Sequence, residues 1–431
     1  MKDLNFKGKE IAVLGAGLEG LSSVEFLKKK GAKVTVLDVK DDKNYLNDLE
    51  KYDFIVRTPG IKLSERPNLE DKITSQTKLF FDLCPCPIIG ATGTKGKGTT
   101  ASLIYETLKV QGKDAYLGGN IGVPPLTFLE KLTKDSVVVL ELSSFQLLDL
   151  SLSPHIAVML MTTSEHLNWH KDVLEYIDAK RNILRYQKHE DFAIINKDYP
   201  AARESDVHTD ARVFYISREE EVLDGCFVKD GKVILRRGGV EEEIVDVDDI
   251  LLPGRHNLEN VCAAVMAAFL AGVSKKNIAQ VLKIFKGLEH RLELVGEAGG
   301  VRYYDDSFST TPETAIAAIQ AFSDPEILIL GGSSKNSDFS ELGKVIFETS
   351  NIKAIIGIGV EWEKIKQEIK TSRIKFIEGC KDMGKIFEKV TEIAESGDVV
   401  LLSPACASFG MFKNYKDRGE QFKKEVLNLL Q

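Results

Sequence analysis

The sequence predicts an α/β protein of three domains, on three observations. Apolar runs of strand length alternate with helix-length segments along most of the chain. Two of those runs turn through glycine-rich loops straight into helical segments, at 15–20 and at 93–98. The third observation is size: 431 residues exceed what one ordinary core accommodates.

The first strand is 10–14, followed by Gly15-Ala16-Gly17-Leu18-Glu19-Gly20, a helix to about 30, and a strand at 33–37 that ends on Asp38. That is a dinucleotide-type fingerprint in its proper context and makes the first domain, 1–84, Rossmann-like. A strand at 54–57 runs into Thr58-Pro59-Gly60-Ile61, a turn at the strand end where such sheets bind ligands. The second domain, 85–288, opens on an apolar strand and the loop Gly93-Thr94-Lys95-Gly96-Lys97-Gly98-Thr99-Thr100. Backbone N–H groups of that loop and of the helix start point at an anion. Lys97 adds a point charge, and Thr99 or Thr100 a hydroxyl for magnesium, so ATP or GTP is the expected ligand. Ala91 stands where the strict phosphate-loop pattern has its first glycine, and a glycine-lysine surface turn is the alternative. Strands at 136–140, 156–161 and 192–195 continue a parallel, P-loop ATPase-type sheet. Short strands at 213–216, 226–228, 232–236 and 243–247 predict a small antiparallel β insert within 212–252. An alanine-rich helix follows at 256–271. Strands at 302–304, 327–330, 354–358 and 399–402 then build a third, Rossmann-like α/β domain, 289–431. There is no fixed-period repeat and no low-complexity segment.

Composition excludes several classes. Lysine plus arginine number 57 against 65 acidic residues, a net charge of -8, so no global basic field attracts nucleic acid or anionic lipid. No apolar run reaches bilayer length and the first residues lack a secretory apolar block, which predicts a cytoplasmic protein without membrane insertion. Cys84-Pro85-Cys86 has neither the spacing nor the second pair of a structural zinc site, so the six cysteines are expected to be reduced, buried thiols.

Glu141 closes the apolar run Val137–Leu140, at the strand edge from which the phosphate loop springs. A carboxylate there suits a nucleotide's magnesium, and a helix cap is the alternative. His166 lies just past another strand, where imidazole binds metal or phosphoryl oxygen but is more often structural. Lys180, in the amphipathic stretch 172–184, reads by default as a solvated lysine. His290-Arg291 offers a guanidinium to phosphates, or is a surface pair. Asp305-Asp306-Ser307 follows a strand, with a helix cap as its plainer reading, and Gly331-Gly332-Ser333-Ser334-Lys335 forms an anion nest or an ordinary turn.

Taken together the chain resembles the Mur ligases, the ATP-dependent amino-acid ligases of peptidoglycan precursor synthesis. The resemblance rests on the two glycine loops, Thr58–Ile61, Gly119-Asn120-Ile121-Gly122, Glu141-Leu142-Ser143-Ser144-Phe145-Gln146-Leu147, Gly254-Arg255-His256-Asn257-Leu258-Glu259-Asn260 and His290-Arg291-Leu292-Glu293. Leu402-Ser403-Pro404-Ala405-Cys406-Ala407-Ser408-Phe409 and Phe412-Lys413-Asn414-Tyr415-Lys416-Asp417-Arg418-Gly419 complete it. Within the family the resemblance is strongest to enzymes that add D-glutamate to UDP-N-acetylmuramoyl-L-alanine. It implies that ATP phosphorylates the precursor's carboxylate, the amine attacks the acyl phosphate, and phosphate leaves. Lys97 would neutralise the transferred group. Glu141, His166 and a carbamylated Lys180 would hold magnesium, of which two ions are expected, with Thr99 contributing to the other. Asn120 would lie near both the substrate and the reacting phosphate. Asn257 and Asn260 would contact adenine, Asp306 the ribose and Arg291 the phosphates. Gly15, Gly17, Leu18, Glu19, Gly20, Asp38, Thr58, Pro59 and Gly60 would face the precursor's uridine diphosphate rather than NAD. His166, Thr310, Lys335, Ser408 and Tyr415 would receive the amino acid. A monomer in contact with other cell-wall synthesis proteins is also implied.

This chain departs from the family pattern at four places, one of them Asn168-Trp169 where an acidic-basic pair is common after His166. Gly98 replaces a serine or threonine, Lys95 an asparagine, and Phe308 a lysine at the amino-acid end. The alternatives are a ligase of the same superfamily with a different or broader amino-acid preference or acting on folate, an NAD-dependent dehydrogenase, and a non-catalytic cell-wall scaffold.

Overall fold

Three sheets carry the chain, and a computed structural model describes them over residues 5–63, 67–166, 169–334, 337–370 and 373–430. The first is parallel throughout: β1 (Glu10–Leu14), β2 (Lys33–Leu37), β3 (Phe54–Arg57) and β4 (Ile73–Ser75), in the order β2-β1-β3-β4. β1 is an unbroken apolar run because it is interior to the sheet and covered on both faces. On one face Ala12, Leu14, Leu49, Tyr52 and Ile55 form a local cluster. On the other, Ile11, Val13, Phe26, Val56 and Phe80 join a core that continues into the second sheet through Leu126, Phe128 and Leu140.

The second sheet has nine strands: β5 (Ile88–Thr92), β6 (Ala115–Gly119), β7 (Val137–Glu141), β8 (Ile156–Met159), β9 (Phe192–Asn196), β10 (Arg212–Ser217), β11 (Gly225–Lys229), β12 (Lys232–Arg237) and β13 (Val240–Asp246). Their order is β13-β12-β11-β10-β9-β8-β5-β7-β6. The expected antiparallel insert is smaller than 212–252 and is continuous with this sheet. β10 pairs parallel to β9 and β11 parallel to β10, and only the pairs β11–β12 and β12–β13 are antiparallel. Gly225, at φ +149°, permits the parallel start of β11, since a Cβ there would fall 1.8 Å from the Tyr215 carbonyl oxygen.

The third sheet is β14 (Glu293–Ala298), β15 (Val301–Asp305), β16 (Glu326–Gly331), β17 (Ile352–Ile358), β18 (Lys375–Ile377) and β19 (Val399–Leu402), ordered β14-β15-β19-β16-β17-β18. β14 is an antiparallel edge on β15 and the rest are parallel. Helices cover both faces, one core holding Leu328, Leu330 and Trp362, the other Ile327, Ile329 and Phe387.

By compactness the chain forms two units, Met1–Asp249 with Leu258–Lys283, and Ile250–Asn257 with Ile284–Gln431. The first two sheets share a unit because they share a core, which the apolar patterning of either alone does not reveal. No helix among the described residues is long and apolar enough to cross a membrane. All six cysteines are free, but the expectation that all are buried is corrected: Cys226, Cys262 and Cys406 are, whereas Cys84, Cys86 and Cys380 are partly exposed.

Candidate functional site

The glycine loop leaves the fully buried β5 and ends at Gly96, which caps helix Lys97–Val110 at φ +85°. A Cβ at Gly96 would stand 2.1 Å from Asn260 Oδ1, so glycine is needed for helix Asn257–Leu270 to close against the loop. Thr100 Oγ1 donates to the same Asn260 oxygen at 3.3 Å. Lys97 folds back, its Nζ donating to the carbonyls of Gly93 at 3.1 Å and Thr94 at 3.0 Å. Thr94 anchors the loop from below: its N–H donates to the Met161 carbonyl at 2.6 Å, and its hydroxyl meets Tyr176 OH at 3.0 Å and accepts from Thr163 N at 3.0 Å. Thr99 is buried in the first turn of the helix.

Glu141 ends β7 and is buried at 7% exposure. The register of β6 against β7 places Gly119 opposite it, so Asn120 follows directly, and its Nδ2 donates to Glu141 Oε1 at 3.1 Å. Helix Val173–Arg185, capped by Asp172, carries Lys180 inward. The solvated reading of Lys180 is therefore corrected. It is 1% exposed, its Nζ donates to the Gly93 carbonyl at 2.8 Å and lies 4.6 Å over the Tyr176 ring. Burial, reinforced by the Lys97 charge and opposed by Glu165 and Glu141, pulls the Lys180 ammonium well below its ordinary pKa. His166, at φ +58°, keeps its side chain 45% exposed and its ring 4.9 Å from that of Phe145. Its pKa is lowered by burial and by Lys180, Lys97 and Lys95, against the pull of Glu165. Lys95 binds Glu165 at 2.6 Å. Burial raises Glu165, but that bond and the charges of Lys95, Lys97 and His166 bring it below the usual carboxylate value.

Lys97, Glu141, His166 and Lys180 thus form one electrostatically coupled group at the carboxyl edge of β5 and β7. Glu141 and His166 alone are a thin donor set for a hard cation. Among the described residues, clusters of three His, Cys, Asp or Glu donors occur instead around His290, with Glu293 and Asp305 or with Glu289 and Glu420. There Lys423 already pairs with Glu293 at 2.9 Å, Glu289 at 3.3 Å and Glu420 at 3.8 Å.

The Glu141–Leu147 stretch does several things at once. Ser143 and Gln146 close a capping box on helix Ser144–Leu147. Gln146 Nε2 also donates to Glu19 Oε1 at 2.7 Å. Burial raises Glu19 to about 7, opposed by the Gln146 bond and the Arg57 charge. The Glu19 carboxyl is thereby turned towards the second sheet. Asp38 accepts from Ala16 N at 2.7 Å and Lys40 N at 2.9 Å, which tightens the first glycine turn and holds its carboxyl below the usual range. Leu18, 79% exposed, sits at the start of helix Leu18–Lys29. Arg57 is buried, donating to Asp149 at 2.7 Å, to the Phe145 carbonyl at 2.9 Å and to the Pro59 and Ile61 carbonyls at 3.4 Å. Gly60 O accepts from Trp169 Nε1 at 3.1 Å.

The remaining candidates, Asn260 apart, belong to the second unit. Asn257 Nδ2 donates to the Pro253 carbonyl at 2.6 Å. Asp306 is buried, accepts from Leu292 N at 3.1 Å and Ser403 Oγ at 2.7 Å, and is pushed up to about 7 by burial despite these bonds. The Arg291 guanidinium lies 4.6 Å over Phe308, whose ring meets Tyr415 edge-on at 5.1 Å. Phe308 is thus an aromatic platform for Arg291. Ser408 is buried and Thr310 half-buried. Lys335 lies outside the described residues, as does Asn168.

Two contributors escaped the sequence reading. Tyr176 stands one helical turn before Lys180, an i, i+4 spacing that places both on one face. Arg418 is fully buried, bonding Ser307 through Nε at 2.9 Å and Nη2 at 2.8 Å and the Cys406 carbonyl at 3.3 Å, so it ties two loops of the third sheet together. It lies within the Phe412–Gly419 stretch quoted for the resemblance, but charge and spacing alone do not mark it as buried.

Residues 91–268 match the family model of the Mur ligase middle domain, and 290–406 that of the Mur ligase, glutamate ligase domain. Curated relatives include the UDP-N-acetylmuramoylalanine–D-glutamate ligase of Acetivibrio thermocellus, 38% identical, with 99% of this chain and 97% of that protein covered. The protein of the same name from Symbiobacterium thermophilum is 37% identical, covering 96% and 97%. Among solved structures, a MurF ligase from Thermotoga maritima in complex with ADP aligns with a TM-score of 0.62 at 20% identity over 99% of this chain and all of the other. A UDP-N-acetylmuramoyl-L-alanyl-D-glutamate–2,6-diaminopimelate ligase aligns at 0.63 and 17% identity, covering 100% and 94%. At those identities the likeness is one of fold.

Proposed function

The chain belongs to the Mur ligase family and is an ATP-dependent ligase adding D-glutamate to UDP-N-acetylmuramoyl-L-alanine in peptidoglycan precursor synthesis; we propose that it does so through an acyl phosphate, at the Lys97–Glu141–His166–Lys180 group. The observation that carries this assignment is the convergence of Lys97 and the buried Lys180 on the single carbonyl of Gly93, beside Glu141. A carboxylate is a poor acylating agent in water, and transfer of a phosphoryl group to its oxygen supplies a leaving group. Lys97 orients and neutralises the transferring group, while the loop N–H groups from Gly93 to Thr100 hold the rest of the triphosphate. Asn120, bonded to Glu141, positions the precursor's reacting end. Magnesium, when bound, polarises phosphoryl oxygens; Glu141, His166 and a carbamate on Lys180 would hold one ion and Thr99 would serve a second.

Asn260, Asn257, Arg291 and Asp306 are assigned to the nucleotide. Gly15, Gly17, Leu18, Gly20, Asp38 and Thr58–Gly60 are assigned to the uridine diphosphate, with Glu19 as a strut to Gln146 beside it. His166, Thr310, Lys335, Ser408 and Tyr415 are assigned to D-glutamate. The division of labour follows 1–84 for the precursor, 85–288 for ATP and 289–431 for the amino acid, in a cytoplasmic monomer.

Phosphate release from ATP and magnesium with UDP-N-acetylmuramoyl-L-alanine tests this reading against D-glutamate, D-lysine, L-glutamate and no amino acid. Release is expected only with precursor and D-glutamate together. Release with another amino acid would point to Phe308 as the origin of altered selectivity. Absence of release with all of them would overturn the reading.

A further inference from the structure

Cys84 and Cys86 form a pair that the ligase reaction does not use. Helix Gln76–Leu83 ends at Cys84, whose N–H makes the last helical bond, to Phe80 O at 2.8 Å. Pro85 holds Cys84 in the extended backbone that precedes a proline, with φ -65° and ψ 124°. Side chains two apart along an extended segment share a face. Accordingly the two Sγ atoms lie 3.6 Å apart, and Cys84 Sγ is also 3.5 Å from the Cys86 carbonyl oxygen. Both thiols are partly exposed. β5 begins two residues later.

We propose that Cys84 and Cys86 are a peroxide-sensitive dithiol that closes to a reversible intrachain disulfide at the junction of the first two sheets. The sulfurs must approach from 3.6 Å to the ~2.05 Å of a disulfide. The thiols are also unequal: the hydrogen bond between the two sulfurs lowers the Cys84 thiol and raises Cys86, which burial and the nearby Asp114 charge raise further. Cys84 is thus the attacking sulfur. Its thiolate attacks one peroxide oxygen, the O–O bond breaks and the departing hydroxide leaves as water after taking a proton. The Cys86 sulfur then attacks the resulting sulfenic sulfur, S–S forms, S–O breaks and a second water leaves. Two thiols are oxidised and one peroxide is reduced.

Cys380 is the internal comparator, since it too is partly exposed but has no second thiol and burial raises it. The reduced full-length enzyme is treated with hydrogen peroxide, quenched with N-ethylmaleimide, and its cysteine peptides are weighed. The Cys84–Cys86 peptide is expected to lose both alkylation sites together with about 2 Da, at least ~10-fold faster than Cys380 oxidises, and to regain both with dithiothreitol. In Cys86→Ser, which leaves a polar side chain at a partly exposed site, Cys84 is expected to stop at a sulfenic acid that dimedone traps. Oxygen adducts on both wild-type thiols without the 2 Da loss, or Cys84 oxidising no faster than Cys380, would overturn the proposal.

Discussion

Lys180 is held where an ammonium is poorly tolerated, 1% exposed and next to Lys97, so it releases its proton at a lower pH than an ordinary lysine. The neutral amine is the form that adds carbon dioxide, and the site's own electrostatics therefore favour the carbamate its proposed role requires. Lys180→Ala is expected to lower kcat by about 10³-fold. Wild-type enzyme stripped of carbon dioxide should regain activity with bicarbonate while the variant does not respond; near-normal turnover in the variant would remove the carbamate from the mechanism. Tyr176 divides into two parts, a ring under Lys180 and a hydroxyl at 3.0 Å from Thr94. Tyr176→Phe keeps the first and deletes the second. It should cost about 1 kcal/mol in thermal unfolding and raise the KM for ATP several-fold with kcat little changed, because Thr94 loses one of its anchors. A fall in kcat alone would place Tyr176 in the chemistry instead.

Individual strands were legible in the sequence where their burial is two-sided. β1, β3, β7, β16 and β19 are mainly apolar runs, and each is found within about two residues of its expected bounds. β4 and β18, three residues each, and the glycine-rich β6 carry too little pattern to stand out. The direction of β10 and β11 was not legible either, because periodicity records which residues are buried and not which neighbour they pair with. The same limit governs the site. Strand-end residues such as Glu141 were found by position, whereas Lys180, a buried lysine on an otherwise amphipathic helix, was recovered only through family resemblance. β16 contains one residue that its apolar context makes costly. Glu326 is fully buried, accepts from Asn351 at 2.9 Å through Oε1, leaves Oε2 without a partner, and is pushed up to about 8 by burial. A carboxyl raised from 4.5 to about 8 binds its proton more tightly in the folded chain than in the unfolded one. Stability contributed by the neutral form is therefore present below pH 4.5 and lost as pH rises towards 8. Glu326→Gln keeps the acceptor for Asn351 and removes the titration. It should raise the melting temperature more at pH 8 than at pH 5, with a gain on the order of 3 kcal/mol at the higher pH. An equal effect at both values would mean that Glu326 is ionised throughout.

On the scale of the molecule, three sheets in series fall into two compact units, and the reason lies in which surfaces are apolar. The first sheet presents one face to its own cluster around Leu49 and Ile55, and the other to a core that runs on to Phe128 and Leu140. Phe80 is one contact between them, 0% exposed and edge-on to Phe128 at 5.7 Å. Polar ties run in parallel: Arg57 to Asp149 and the Phe145 carbonyl, and Gln146 to Glu19. A shared core of this kind couples unfolding, because neither sheet can open without exposing the other's apolar face. Phe80→Ala should cost about 3–5 kcal/mol, the transfer term plus the cavity beneath Phe128. Native-state hydrogen exchange locates that loss. If the two sheets unfold as one unit, the amides of β1 and those of β5 must lose protection by the same free energy, although Phe80 belongs to neither strand. Loss confined to β1 would mean that residues 1–84 open independently, and that the core between the sheets is a docking surface rather than a common interior.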